Sequence, residues 1–443
     1  MGTRDARNVP VACRLLTDLR GSLISGHRSR RNRLLSRPVR VNARSRFWIV
    51  VLAVLLAVAA SAGTSGDARG DDDVSVGTPN WSGLDVTDYS GPIPGRSGTL
   101  IAQVPLAESL TLPAAAEAYR IQFSTPNQHG AMATSTGAVF VPKGSAPAGG
   151  WPVISWAHGT VGMADACTPS AFPRSARDVT YLGHWLDQGY AVVAADYVGL
   201  GTPGLMSYLN GVTAAHAIVD AVMASHRMDL PLSPRWAIIG QSQGAAAALN
   251  GARYATEFSA GSKLDYRGVV ATGIPANLEY LYQNLGPAVP PFALPGGLNA
   301  YTAYILAGLD EARPDLRVSS VMTPKGVARL AEGRETCYPI LKNALAGDHV
   351  ASWFSAPLAS LPGLVPALHR YMSTPYKGYD RPIFLGQGLR DTDVPAPSAL
   401  SLYAQMKANN QPVELRVYPD DDHSSAVLAS MPDSTPFVAR ILR

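Results

Sequence analysis

The chain has 443 residues, of which 47% are hydrophobic and 16% charged, a balance that supports a packed globular body and excludes disorder throughout. Its formal net charge of +4 hides an asymmetry, because twelve arginines against two aspartates fall in the first 46 residues and the remainder is net acidic. A body without clustered Lys and Arg excludes nucleic acid as partner, since phosphate binding needs a basic face on the folded domain.

The first element after the arginines is Phe47 to Ala62 (FWIVVLAVLLAVAASA), uncharged and apolar, followed by a polar stretch. It reads as the h-region of a secretory signal with an A-x-A-like cleavage site at Ala60-Ser61-Ala62. The run is shorter than the roughly 20 residues of a spanning helix, though a retained N-terminal anchor is the other reading. Residues 1–62 are therefore assigned as a basic leader and signal peptide, or an anchor, and the protein as secreted or envelope-associated. Val41 to Arg46 alone would suffice as the basic region. Cys13 falls in this leader, which leaves Cys167 and Cys337. An even pair in an exported chain favours one disulfide over two separate buried thiols.

Residues 63–98 are rich in Gly, Ser, Asp and Pro and read as a flexible arm before a domain over 99–443. Ala118 to Ser124 and Ala131 to Val141 alternate as antiparallel strands around the turn Pro126-Asn127-Gln128-His129-Gly130. Short continuous apolar runs follow at Val153 to Ala157, Ala191 to Ala195, Trp236 to Ile239, Val269 to Thr272, Ile383 to Leu385 and Val413 to Val417, interleaved with helical stretches such as Ala214 to Ser225. That pattern describes an α/β fold, a mostly parallel, doubly wound sheet covered on both faces. Between about 277 and 376 the alternation gives way to a Leu-, Ala- and Pro-rich stretch with helical patches at Val327 to Glu332 and Ile340 to Leu345. It is too long for a loop and is assigned as a mainly helical cap inserted before the strand Ile383 to Leu385, over the strand ends where such sheets bind ligands.

The strongest chemical signal is Gly240-Gln241-Ser242-Gln243-Gly244, after a strand and before the alanine-rich helical run Ala245 to Asn250. A serine on such a turn is presented at the top of the sheet, and the glycines Gly240 and Gly244 let helix and strand approach closely. A serine hydroxyl needs a base. Of the histidines after Ser242, His349 and His369 fall in the cap, whereas His423 follows the last strand in the loop Pro419-Asp420-Asp421-Asp422-His423. The orienting acid belongs after the preceding strand, where Asp391 and Asp393 both qualify. Asp391 is preferred for its D-x-x-V-P spacing. Asp420, Asp421 and Asp422 read as a solvated turn or as the cap of a helix starting near Ser424. The backbone N–H of Gln243 is one oxyanion donor, and that of Thr160 or Gly159, after the strand Val153 to Ala157, is the second.

These residues resemble the secretory lipase family of the α/β-hydrolase superfamily, through Val153 to Ser170, Asp196 to Gly201, the serine turn, Gly386 to Pro395 and Tyr418 to His423, in that order. The resemblance implies the α/β-hydrolase fold, a Ser242–His423–Asp391 triad, a lipophilic pocket under the cap, and hydrolysis of triacylglycerols or simpler acyl esters without a cofactor. The chain departs from the family pattern at Gln241 and Ala245, which bears on acyl preference. The partner is then a small-molecule or lipid ester, with contact at a membrane or lipid interface as a further expectation. A serine peptidase of the same fold is the nearest alternative, with Glu279, Asp310, Glu311 and Glu332 as cap acids to hold a peptide amine. A non-catalytic envelope binding protein is the second, against which the complete triad speaks. No ligand spacing for a metal is present.

Overall fold

The computed structural model describes residues 77–291 and 293–443. The leader, the apolar run at 47–62, Cys13 and the first part of the arm lie outside the described residues.

In chain order come β1 (Leu100–Pro105), β2 (Ala115–Pro126), β3 (Met132–Pro142), β4 (Trp151–Ala157), α1 (Ala176–Asp187), β5 (Ala191–Ala195), α2 (Gly211–Ser225), β6 (Leu232–Gln241), α3 (Gln243–Phe258) and β7 (Asp265–Thr272). The segment before the next strand holds α4 (Glu279–Tyr282), α5 (Gly296–Ala312), α6 (Pro324–Glu335), α7 (Tyr338–Ala344) and α8 (Leu364–Met372). The chain closes with β8 (Ile383–Gly388), α9 (Pro397–Ala408), β9 (Val413–Tyr418), α10 (Ser425–Ala429) and α11 (Met431–Ile441). The described residues form one nine-stranded sheet in the order β1-β2-β3-β5-β4-β6-β7-β8-β9. Its first three strands are antiparallel and β3 meets β5 antiparallel; from β5 across to β9 every pairing is parallel.

The two faces of the sheet explain the continuous apolar runs. Val139, Val153, Val193, Ile238 and Val269 point into one core, and their neighbours Phe140, Ile154, Val192, Ile239 and Val270 into the other. The first face is covered by α2, α3 and α9 through residues such as Ile218, Leu249 and Leu402. The second is covered by α1 and α11 through Leu182 and Val438. A strand buried on both sides takes a polar residue only where it finds a partner, as Ser155 Oγ does by donating to Ile218 O at 3.0 Å, and each fully buried Val or Ile side chain contributes up to about 1.5–3 kcal/mol. The chain thus has the doubly wound α/β-hydrolase architecture.

Two details differ from the sequence reading. The sheet opens with β1, not with the β2–β3 hairpin. β1 is a partly exposed edge strand that slips register between Leu100 and Ala102, so it has no fully apolar face to announce it. The second difference is a correction to the flexible arm over 63–98, which is anchored from residue 80 onward. Asn80 N–H donates to Ala171 O at 2.9 Å and Gly98 N–H to Ser124 O at 2.8 Å, and Val86 is buried. The physical reason is Arg120, wholly buried on β2. Its guanidinium needs acceptors, and it donates to Leu84 O at 3.2 Å, covers the Trp81 ring and lies 3.8 Å from the buried Asp196 carboxylate.

Cys167, after β4, is bonded to Cys337 at the start of α7, with a Cα–Cα distance of 5.5 Å. Beside the bridge, Tyr338 N–H donates to Val161 O at 2.9 Å. These contacts tie the loop after β4 to the helical segment between β7 and β8. No helix among the described residues is long and apolar enough to cross a membrane.

Candidate active site

Ser242 lies between the last residue of β6 and the first of α3, with φ 59° and ψ −125°. This is a sparsely populated conformation for a residue with a side chain and costs about 1–3 kcal/mol. It is held by the surrounding contacts: Ser242 N–H donates to Thr272 O at 3.0 Å. The flanking glycines are a matter of space. A Cβ on Gly240 would lie 2.0 Å from Gly244 O, and one on Gly244 would lie 1.9 Å from Ala157 O. The end of β4, the end of β6 and the start of α3 therefore meet at backbone contact.

His423 stands in the loop between β9 and α10. Asp422 Oδ1 accepts the N–H groups of Ser424 and Ser425 at 3.0 and 2.8 Å in a turn just ahead of α10, while Asp420 pairs with Arg390 in solvent. His423 Nδ1 is 2.7 Å from Asp391 Oδ2. Facing a carboxylate, Nδ1 carries the ring proton and leaves Nε2 as the atom that takes another. Asp391 is fixed in turn: its Oδ1 accepts Asp393 N–H at 3.0 Å and Val394 N–H at 2.7 Å, and its Oδ2 also accepts Gln387 Nε2 at 3.1 Å. Gly273, directly after β7 with φ +61°, gives the imidazole room, since a Cβ there would sit 2.8 Å from His423 Cε1.

Between the two acids that qualify by sequence, Asp391 is the one against His423. Asp393 lines the same cleft as Ser242 and His423. His349 and His369 belong to the segment between β7 and β8, and neither lines that cleft.

Gln243 is the first residue of α3, so its N–H has no intrahelical acceptor and sits at the positive end of the helix dipole. The loop after β4 comes up beside it: a Cβ on Gly159 would be 3.6 Å from Ser242 Cβ. Thr160 follows, its hydroxyl 2.6 Å from Tyr208 OH. His158 braces this loop from behind. Its Nδ1 is 2.7 Å from Gly159 O, its ring lies against Tyr197 at 4.4 Å, and Tyr197 OH donates to His158 O at 3.1 Å. Burial pushes the His158 pKa below its ordinary 6.5, so the ring is a neutral strut.

The cleft over Ser242 encloses about 880 Å³ counted with its open mouth, and runs between the loop after β4, Phe172, and Tyr301 and Tyr338 of α5 and α7. Charged side chains also line it: Arg174, Arg177, Asp178, Lys342 and Asp393. The cap acids proposed for a peptide amine are elsewhere. Glu279 accepts from Ser373 Oγ, Asp310 pairs with Arg334, Glu311 with His129 and Glu332 with Arg329, and none lines the cleft. Among the described residues no group of three His, Cys, Asp or Glu is arranged to hold a metal ion.

Sequence reasoning passed over Gln387, Gly273 and Arg174. Gln387 had a visible signal, a polar side chain between two glycines at the end of an apolar strand. Gly273 and Arg174 had none, because what they face comes from distant segments.

Residues 174–352 match the family model described as secretory lipase, and residues 365–437 match that of the prolyl oligopeptidase family. Among solved structures, the chain is similar to Candida antarctica lipase A in its closed state, at 20% identity and a TM-score of 0.66, covering 80% of this chain and 86% of that one. It is similar to the rice cell wall degrading esterase LipA of Xanthomonas oryzae, at 20% identity and a TM-score of 0.62, covering 79% and 99%. A putative hydrolase of Legionella pneumophila shares 21% identity with a TM-score of 0.63 over 78% and 98%. At these identities the solved structures speak for the fold. No curated relative matches the sequence.

Proposed function

We propose, starting from an α/β-hydrolase similar to the secretory lipases over residues 174–352, that this chain is an exported serine carboxylic ester hydrolase acting on lipid or acyl esters through Ser242, His423 and Asp391. The observation that carries the reading is the 2.7 Å contact of His423 Nδ1 with the buried Asp391 carboxylate, with Ser242 and His423 on one cleft.

In this reading Asp391 holds His423 in the tautomer that leaves Nε2 to accept the Ser242 proton. The serine oxygen attacks the ester carbonyl, and the electron pair of the C=O bond moves to oxygen. The N–H groups of Gln243 and of Thr160 or Gly159 stabilise that charge, each donor lowering the barrier by on the order of 3 kcal/mol. Collapse expels the alcohol, which leaves with the proton from His423. Water, deprotonated by the same ring, then releases the acid and restores the serine.

The match of residues 365–437 to the prolyl oligopeptidase family favours one second reading, amide hydrolysis on the same machinery. A single experiment separates the two. The purified protein and Ser242→Ala are assayed on p-nitrophenyl esters from short to long acyl chains and on aminoacyl p-nitroanilides. Ester turnover that vanishes in the alanine variant supports the esterase, and a rise with chain length supports lipids as substrate. Serine-dependent cleavage of anilides alone makes it a peptidase, and equal rates in both proteins remove Ser242 from the account.

A further inference from the structure

The charged lining of the cleft is unusual for a site that receives only neutral acyl chains, and its cations are not equivalent. Arg177 is spent within the wall, its Nε and Nη2 donating to Asp178 Oδ1 at 3.0 and 2.9 Å. Lys342 lies over the Tyr338 ring. Arg174, in the stretch between the disulfide and α1, differs: its guanidinium carbon is 5.4 Å from the centroid of the Phe140 ring, and among the described residues no hydrogen bond or ion pair engages it. The two carboxylates whose charge reaches it are Asp178 and Asp196. Asp178 accepts from Arg177. Asp196 accepts from Ser170 and Thr136 and faces Arg120.

Arg174 is thus a planar fork of N–H donors on the cleft that holds Ser242 and His423, with its ring contact behind it. Arg174 is partly buried, and burial lowers its pKa below the ordinary arginine value. A guanidinium in that position gains from any carboxylate placed beside it. We propose that Arg174 receives a carboxylate of the substrate, so that the esters preferred by this site carry a negative charge besides the scissile bond, on the acyl or the alcohol side. This rests on the esterase reading above, and it replaces a neutral triacylglycerol with an acidic ester, such as a half-ester of a dicarboxylic acid or the acyl ester of a hydroxy acid.

The test uses paired substrates on the full protein. The p-nitrophenyl monoester of adipic acid is compared with its methyl diester for the acyl side, and 3-acetoxybenzoate with phenyl acetate for the alcohol side. In the wild type, kcat/KM for the charged member exceeds that of its neutral twin in at least one pair. In Arg174→Gln that ratio falls roughly tenfold or more, the worth of a charged hydrogen-bonded pair, and in Arg174→Lys it falls less, because charge is kept and the fork lost. If Arg174→Gln fails to fold by circular dichroism, a KCl titration of the wild type reads the same ratio, which falls as the pair is screened. Ratios at or below one in the wild type, or unchanged by the substitution or by salt, overturn the assignment. Absence of Ser242-dependent turnover for all four esters overturns the esterase reading instead, so the two failures are distinguishable.

Discussion

Replacing Asp391 by asparagine tests the orientation of His423 with almost no change in side-chain volume. Asp391 Oδ1 accepts two backbone N–H groups, from Asp393 at 3.0 Å and Val394 at 2.7 Å, and Oδ2 faces two further donors, His423 Nδ1 at 2.7 Å and Gln387 Nε2 at 3.1 Å. An asparagine has one oxygen for these two positions. With its oxygen kept on the backbone donors, its NH2 group faces His423 and Gln387; the imidazole must then accept at Nδ1 and carry its proton at Nε2, where it cannot deprotonate the serine. The flipped amide would set the NH2 group against two buried N–H donors, at about 1–3 kcal/mol for each group left unsatisfied. Holding the wrong tautomer costs about 10⁴-fold in kcat, or about 5.5 kcal/mol of barrier at 1.36 kcal/mol per decade. The assay is kcat on p-nitrophenyl butyrate alongside the melting temperature, which falls only modestly, because Gln387 Nε2, now facing the NH2 group, keeps Gly388 O and Val394 O as acceptors. Activity within tenfold of wild type in Asp391→Asn, or a larger loss in Asp393→Asn, would refute the assignment.

Three other outcomes follow from the same contacts. In Gly244→Ala the new Cβ meets Ala157 O at 1.9 Å, so strand and helix must separate at a cost of about 1–3 kcal/mol or more; melting temperature and kcat both fall, and an unaltered kcat would contradict the packing at the serine turn. In Cys337→Ser the bridge that closes a sequence separation of 170 residues is lost, which removes about 2–5 kcal/mol of stability; urea unfolding measures it, and a loss under about 1 kcal/mol would count against the link between the loop after β4 and α7. The pH dependence has a definite sign. Burial depresses the His158 pKa in the folded state below 6.5, so the unfolded chain takes up the proton first and stability falls as pH drops below 6.5. His158→Asn flattens the melting temperature between about pH 5 and 6.5, whereas an unchanged slope would mean that His158 is not the neutral strut described here.

The parallel core was legible because burial on both sides writes itself into a strand as a continuous apolar run: Ala191 to Ala195 is β5 to the residue. The serine turn was legible for a steric reason, since no side chain fits at Gly240 or Gly244. Asp391 could be preferred to Asp393 only by spacing, and what separates them in the structure is the turn that aims Asp391 at its own backbone and His423 while Asp393 faces the cleft. The arm failed for a different reason. Its Gly, Ser, Asp and Pro content describes local conformational freedom, but Asn80, Trp81 and Leu84 are held by long-range partners, above all the buried charge of Arg120, which no local pattern reveals. The same limit hid Arg174, whose meaning lies in which acceptors its neighbours have already used.

The most direct test of the central claim is covalent capture of the nucleophile. The protein is treated with a p-nitrophenyl alkylphosphonate, which expels one p-nitrophenolate as a serine oxygen bonds to phosphorus, and the modified chain is digested for mass spectrometry. The account predicts close to one equivalent of p-nitrophenolate, loss of ester turnover in step with it, and the added mass on the peptide that contains Ser242, with Ser242→Ala unreactive. An unmodified Ser242 peptide with activity lost, or equal labelling of Ser242→Ala, would place the chemistry elsewhere and contradict the account.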